Sequence, residues 1–303
     1  MTKFLGIVKE GNLISEPLWI KFIESLENNF DSLETNLERS KRKIAELFVE
    51  SVKKRVVQKF GILFSGGVDS TTIAYVCQRL NCNFTCYTVG IENSDDIEWA
   101  KKIADEYKFN FKHKILTLDE YETALKETIG ILGDADIVKA SVGSVLYCAG
   151  KLALSNNDNI LFGGLGSEEI FAGYKRHEDS LGQNNFEAVH KECWNGMKKM
   201  HERDLSRDFK IAKHLGLDLR TPFLDKELIK AAMQVHPMLK LDKTQKKIIF
   251  REASKLIGLK KEFAMRKKQA AQYGSNFVSG IEKLAKRKGF NYKKDYLQSL
   301  LPK

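Results

Sequence analysis

A doubly wound α/β protein, with a parallel sheet followed by a mainly helical C-terminal part, is the fold class that three features of the 303-residue sequence predict. Strand-like apolar runs at residues 62–64, 83–89, 111–116 and 159–162 alternate with amphipathic stretches of helical length. Alternation at that pace marks parallel strands joined by crossover helices. Two of the strands run into glycine turns that open helices, Ser65-Gly-Gly-Val-Asp-Ser70 and Gly163-Gly-Leu-Gly-Ser-Glu-Glu169. From residue 181 the strand signal fades and helical periodicity takes over.

Before the first strand, residues 4–8 and 13–14 flank Glu10-Gly11-Asn12 in the pattern of a small hairpin. Residues 17–40 read as helical, with Leu18, Phe22, Leu26, Leu33 and Leu37 recurring at helical spacing. Residues 41–57 form a clearer amphipathic helix with Ile44, Leu47, Phe48, Val52 and Val56 on one face. Asp95 and Asp96 open a helix that buries Ile97, Ala100, Ile103, Ala104 and Tyr107. Residues 119–156 are mostly helical, and Pro222 stands near the start of a later helix. Residues 243–257 are the last clear helix, with Ile249, Ala253, Leu256 and Ile257 inward. Lys243, Lys246 and Lys247 then fall on what is ordinarily a solvated face.

The first glycine turn carries the strongest chemical signal. A helix's first amides lack an intrahelical acceptor and its dipole is positive there, so a strand that feeds such a turn makes an anion site. Gly66 and Gly67 let the backbone take positive φ and approach phosphate oxygens closely. Ser65 and Ser70 add hydroxyls. Asp69 would be repelled by bare phosphate, so its work is to hold a Mg²⁺ that neutralises pyrophosphate. The competing reading is an ordinary corner with Ser or Asp as helix cap; the full Ser-Gly-Gly-Val-Asp-Ser string after a strand favours phosphate. No Gly-Lys-Ser/Thr follows, so this is not a Walker loop. The string resembles the PP-loop of N-type ATP pyrophosphatases, which cleave ATP between its α and β phosphates.

Ligands of such sheets sit at the carboxyl ends of the strands. Thr88-Val89-Gly90 ends a strand there, which makes Leu63 and Val89 candidate apolar neighbours of adenine, with core packing as the alternative. At the second turn, Ser167 reads as the N-cap of a helix opening with Glu168 and Glu169. Two carboxylates there serve either the helix dipole or a metal beside the phosphates. The repeated strand–glycine–helix device favours the metal.

Composition bounds the rest. Hydrophobic residues make up 43% and charged residues 30%, as in a globular protein. No apolar run nears the roughly 20 residues that span a bilayer, and the N-terminus lacks an apolar signal segment. A cytoplasmic protein with no membrane partner is expected. Cys77, Cys82, Cys86, Cys148 and Cys193 contain no CxxC pair, so small core hydrophobes are expected rather than zinc or iron–sulfur ligands. The net charge of +10 suits a polyanionic ligand. It is spread along the chain, so nucleic acid is a permitted partner but not the favoured one.

Together, Ser65–Ser70, Thr88–Gly90, Gly163–Tyr174, Arg220-Thr-Pro-Phe-Leu-Asp225, Lys247-x-x-x-Arg251-Glu252 and the basic segment near Arg266 resemble, in order, the synthetase domain of asparagine synthetases. The resemblance spans roughly residues 44–280 and implies a PP-loop, HUP-like (adenine nucleotide alpha hydrolase-like) fold. It divides the chain into an extension at 1–40 without a glutaminase domain, a nucleotide-binding α/β core at 41–180 and a mainly helical part at 181–303. It implies a ligase in which a small-molecule carboxylate attacks the α-phosphate of ATP, giving an acyl-adenylate and pyrophosphate, and ammonia or an amine displaces AMP. By the same resemblance Asp69 and Glu168 hold Mg²⁺. Ser65, Gly66, Gly67, Ser70, Gly90 and Gly164 line the nucleotide site. Lys247 stabilises the charged transition state.

Two departures qualify it. The family's glutaminase cysteine has no counterpart at Thr2, so ammonia is expected free or from a separate glutaminase partner. The family's Gly-Glu-Gly is Gly164-Leu165-Gly166, as in the asparagine-synthetase domain-containing branch, which Tyr174-Lys-Arg-His177 and Gln272-Tyr-Gly-Ser275 also resemble. Leucine neither takes a proton nor orients an ammonium, and general base catalysis contributes about 10²–10⁴ in rate. A tRNA-modifying PP-loop enzyme that adenylates a base, or a silent nucleotide-binding subunit, are the alternatives.

Overall fold

The computed structural model describes residues 8–9, 12–27, 32–182, 185–267 and 269–302. In chain order the strands are β1 (Val8–Lys9), β2 (Asn12–Leu13), β3 (Phe60–Leu63), β4 (Phe84–Ile91), β5 (Phe111–Leu116), β6 (Ile160–Phe162) and β7 (Asp218–Arg220). The helices through the sheet region are α1 (Glu16–Glu27), α2 (Leu37–Lys53), α3 (Val68–Arg79), α4 (Asp95–Tyr107), α5 (Leu118–Leu132), α6 (Ile137–Leu154) and α7 (Ser167–Ile170). Then come α8 (Lys175–Leu181), α9 (Phe186–Met200), α10 (Ser206–Leu215), α11 (Lys226–Gln234), α12 (Ile248–Ile257), α13 (Lys261–Ala264), α14 (Ala271–Gly274), α15 (Phe277–Arg287) and α16 (Lys293–Gln298).

The chain folds into two compact units that interleave along the sequence. One comprises residues 57–163, 206–220 and 266–303; the other comprises 1–56, 164–205 and 221–265.

The first unit holds a five-stranded parallel sheet in the order β5-β4-β3-β6-β7. This is the doubly wound α/β fold. The strand order reverses at β3 and β6, which pair directly (Gly61↔Leu161, Ile62↔Phe162), so the switch point of the sheet lies at their carboxyl ends. Every residue of β4 is buried, as in a parallel strand covered on both faces. The fifth strand, β7, falls in the region where the strand signal fades: three residues are too few to carry a period-2 signal.

α6 also corrects an expectation. Its 18 residues have a mean hydropathy of 1.4, long and apolar enough by composition to cross a bilayer. Its apolarity serves the core instead. Leu146, Tyr147, Cys148, Ala149 and Ala153 pack into one cluster with Tyr121, Ile129, Ile211, Phe277 and Ile281.

The second unit is organised by aromatic packing between α2 and the elements that return to it. Phe48 lies 4.9 Å from Phe223 and 5.2 Å from Phe250, and Phe250 stacks on Phe171 at 4.9 Å between centroids. β1 and β2 pair antiparallel, Val8 opposite Leu13, within the expected hairpin; Phe4, Glu10 and Gly11 lie outside the described residues. The expected helix over 17–40 is two helices. Between them Glu34 bridges to Val235, so Leu33 is not helical. α1 buries Trp19, Ile23 and Leu26, which turns Leu18 outward at 56% exposure. Residues 243–247 are not helical either. Leu241 and Lys246 form an antiparallel bridge, α12 starts at Ile248, and Leu256 faces outward rather than inward.

Candidate active site

Within the sheet unit, β3 delivers the chain to the phosphate loop. Gly66 takes φ +66°, and a Cβ there would come within 3.0 Å of the Ala100 amide nitrogen and 3.1 Å of Arg266 Nη1. A Cβ on Gly67 would meet only Ser65 Oγ, at 3.3 Å, so glycine keeps that side of the loop open. Gly67 is the N-cap of α3 and supplies no side-chain cap. The first i→i−4 bond of α3 is Thr71 N to Gly67 O at 3.0 Å, as at any helix start, where the leading amides have no carbonyl one turn back. The loop is thus an uncapped helix N-terminus of a twelve-residue helix behind a left-handed glycine.

The two serine hydroxyls bond within the loop. Ser65 Oγ accepts from Gly67 N, and Ser70 Oγ accepts from Ser65 N and donates to Gly67 O, each at 3.3 Å. Their hydroxyls brace the loop itself. Asp69 is half-buried in the first turn of α3.

Arg266 fixes the loop from behind, a role that spacing alone did not signal. Its Nη1 donates to Ser65 O at 2.7 Å, its Nη2 lies 3.4 Å from Asp96 Oδ1, and its guanidinium sits 5.0 Å from the Trp99 ring centroid. The carbonyl of Phe64 is taken by the Thr88 hydroxyl. At the end of β4, a Cβ on Gly90 would run into the Ser94 side chain, whose Oγ donates to Gly274 O at 2.9 Å. Gly90 is therefore also needed for packing. Val89 is 2% exposed and belongs to the core cluster, whereas Leu63 stays half-buried at the strand end.

Within the other unit, the second turn is built around Lys247. Gly164 and Leu165 are half-buried and open the turn. Gly166 (φ +94°) is the N-cap of α7, which displaces Ser167 from the expected cap to the first helical position. Ser167 is fully buried and accepts from Lys247 Nζ at 3.0 Å. Lys247 Nζ also lies 2.5 Å from Glu168 Oε1, with the two side chains 1% and 9% exposed. Lys247 takes φ +58° just ahead of α12, so its side chain turns inward. The solvated face expected from its spacing is overturned.

The two glutamates part company. Glu168 joins Lys247, while Glu169 pairs with Arg203 Nη2 and lies 3.7 Å from Arg176 Nη2. Both guanidiniums cover the Tyr174 ring, at 4.0 Å and 5.1 Å from its centroid. Burial and then the nearby Asp204 push the Glu169 carboxyl up, against the two arginines. Arg203 and Asp204 sit on a π-helical turn, His201–Leu205, after α9. Sequence reading missed this network, because Arg203 is 34 residues from Glu169 and nothing local marks it.

Among the described residues no cluster of three or more His, Cys, Asp or Glu could hold a metal by itself.

A parallel sheet whose switch point carries Ser-Gly-Gly-Val-Asp-Ser on a helix N-terminus defines a PP-loop α/β protein. The chain belongs to the asparagine synthase family, whose model matches residues 43–188 and 183–288. A relative from Methanocaldococcus jannaschii, named "Putative asparagine synthetase [glutamine-hydrolyzing] 1", is 31% identical over 91% of this chain and 57% of its own length. An asparagine synthetase [glutamine-hydrolyzing] of Triphysaria versicolor is 30% identical over 65% of this chain and 35% of its own. The chain thus spans little more than half of these relatives at most. Among solved structures, an NH3-dependent NAD synthetase from Campylobacter jejuni aligns over 88% of this chain and 94% of its own, at 14% identity and a TM-score of 0.38.

Proposed function

We propose that this chain is an ATP-dependent, AMP- and pyrophosphate-forming synthetase that adenylates a small-molecule carboxylate and passes it to ammonia or an amine. The observation that carries the reading is the buried Lys247, held by Glu168 and Ser167 in a chain of the asparagine synthase family. A lysine taken out of water at this cost has a use for its charge, and charge developing on a transferring phosphoryl group is such a use. The uncapped N-terminus of α3 supplies amides for the ATP phosphates, braced by Ser65, Ser70 and Arg266. Asp69 and Glu168 are the two acidic positions assigned to Mg²⁺, whose contribution when bound is to neutralise phosphate charge. Leu63, Val89, Gly90 and Gly164 are assigned to the nucleotide, Leu63 with the more open face.

The test is Mg²⁺-dependent ATP–pyrophosphate exchange across a panel of amino acids led by aspartate, with Asp69→Asn as the control. Exchange that depends on one carboxylate and vanishes in a well-folded Asp69→Asn protein is expected. Exchange undiminished in that variant would sink the metal assignment, and silence over the whole panel with ATP bound would replace the small carboxylate by another acceptor. Leu165 limits the second step in this reading. Leu165→Glu should therefore raise ammonia-dependent amide formation by at least tenfold, measured as product per adenylate formed.

A further inference from the structure

The segment Gln272-Tyr-Gly-Ser275 takes no part in the chemistry proposed so far, yet it is tied to the ligand edge of the sheet. Ile91 N, at the end of β4, donates to Ser275 O at 3.1 Å. Ser94 Oγ donates to Gly274 O, and Asn276 Nδ2 donates to Glu92 O, each at 2.9 Å. Gln269 Nε2 donates to Asp95 Oδ2 at 2.7 Å. All of these partners lie at the carboxyl end of β4 or in the turn into α4. Just upstream, Arg266 holds the phosphate loop through Ser65 O. Arg266 and residues 269–276 thus link the loop after β3 to the end of β4. In a doubly wound sheet a nucleotide lies between two such points, its phosphates on the helix N-terminus and its base toward the neighbouring strand end.

Asp96 couples the two ends. A Cβ on Gly274 would run into the Asp96 carboxylate. Asp96 is 5% exposed and lies 3.4 Å from Arg266 Nη2, so it cannot retreat from such a group without leaving the guanidinium. Arg266 Nη1 in turn donates to Ser65 O at 2.7 Å. Gly274 does not take positive φ, so space rather than backbone conformation calls for glycine there. The segment can rest on Asp96 only where it carries no side chain.

We propose that Arg266 and residues 269–276 are a nucleotide-positioning strap, in which Gly274 acts through Asp96 and Arg266 to hold the phosphate loop in its ATP-binding form; the inference rests on the nucleotide site proposed above. Gly274 and Asp96 are positioning residues, and neither touches the nucleotide. With the strap seated, the amides at the start of α3 are oriented before ATP arrives. With Asp96 displaced they must be ordered on binding, so the loss falls on affinity for ATP rather than on turnover.

Binding of ATP with Mg²⁺ to the full chain is measured by titration calorimetry, and KM and kcat by pyrophosphate exchange. Gly274→Ala should raise the Kd and KM for ATP about tenfold, with kcat at saturating ATP within about twofold of wild type. Asp96→Ala should do the same. The double variant should bind no more weakly than Asp96→Ala alone, because the added methyl then meets no carboxylate and two changes on one path do not add. Unchanged affinity in Gly274→Ala, or penalties that multiply in the double variant, would overturn the proposal. Asn276→Gly removes the bond to Glu92 O, keeps the positive φ of Asn276 and introduces no clash. It should raise the Kd about threefold, the loss of one hydrogen bond, and an unchanged Kd there overturns the strap even if Gly274→Ala fails to fold. Calorimetry needs no turnover, so a silent carboxylate panel leaves the test standing. A wild-type chain that binds no ATP would overturn the nucleotide site itself, and the strap with it.

Discussion

A lysine at φ +58° with 1% of its side chain exposed persists only because its neighbours compensate its charge. Glu168 is the compensating carboxylate, and Ser167 takes a second ammonium proton. Removing one partner leaves the other buried and uncompensated, so Lys247→Met should cost about 3–5 kcal/mol of stability in urea unfolding. Removing both is different. Lys247→Met with Glu168→Gln should recover most of that loss while pyrophosphate exchange stays absent; recovered exchange would mean the pair is structural only. His177 gives a second prediction at this scale. Its Nδ1 accepts from the Tyr174 amide at 3.1 Å, and burial, then Arg176 and Lys240, lower it from 6.5 to about 3. Between those values the unfolded chain binds a proton that the folded chain does not. Stability is therefore full above pH 6.5 and falls as pH drops toward 3, by up to about 1.4 kcal/mol per pH unit. His177→Asn keeps an acceptor without the titration, and its urea midpoint should lose less than wild type between about pH 7 and pH 5. An equal loss would assign the acid sensitivity to other groups.

The phosphate loop is an element whose form depends on a residue 201 positions away in sequence, since Arg266 ties down the Ser65 carbonyl. Arg266→Ala should leave the sheet intact, as far-UV circular dichroism would verify, and free the loop behind Gly66. The expected kinetic signature is a KM for ATP raised about tenfold or more, because several oriented amides must be re-formed on binding. Arg266→Lys should recover only part of it, having lost the fork that reaches Ser65 O and Asp96 together. A KM unchanged in the alanine variant would show that the loop holds its shape through Ser65 and Ser70 alone. The loop was legible in sequence because its signal is local: a strand, two glycines, two hydroxyls and a carboxylate within a few residues. β7 was not, being three residues long. Nor was the start of α12, where the Leu241–Lys246 bridge overrides a helical pattern and Lys247 turns inward. The pairing of Lys247 with the α7 turn joins residues about 80 apart, which no spacing rule reaches; the family resemblance marked Lys247 and Glu168 separately and did not point to their contact.

At the scale of the whole molecule, the net charge of +10 bears on whether the acceptor is a small carboxylate or an RNA base. Tight RNA binding needs cations free to meet phosphates along one track. Many of the described cations are instead engaged by nearby acids. Lys41 pairs with Glu38, Lys191 with Glu187, Lys255 with Glu252 and Lys286 with Glu282, all within one helical turn. In the basic tail, Arg287 meets both Asp119 and Glu122, and Lys288 meets Glu122. Such surface pairs add little to stability, but each offsets a positive charge where it stands. The expected outcome is that a tRNA pool binds weakly at low salt and is released by about 150 mM salt, with few counterions displaced. A protein with six to ten phosphate contacts loses about 10³–10⁵ in affinity between 50 and 200 mM salt, so a salt titration reads the number of contacts directly. Retention at about 150 mM salt with a steep slope would mean that these surface acids yield to phosphate. The adenylated group would then be sought on RNA, with Lys247 and the phosphate loop keeping the same work. A shallow slope leaves the excess charge to the nucleotide, and the acceptor to the carboxylate panel.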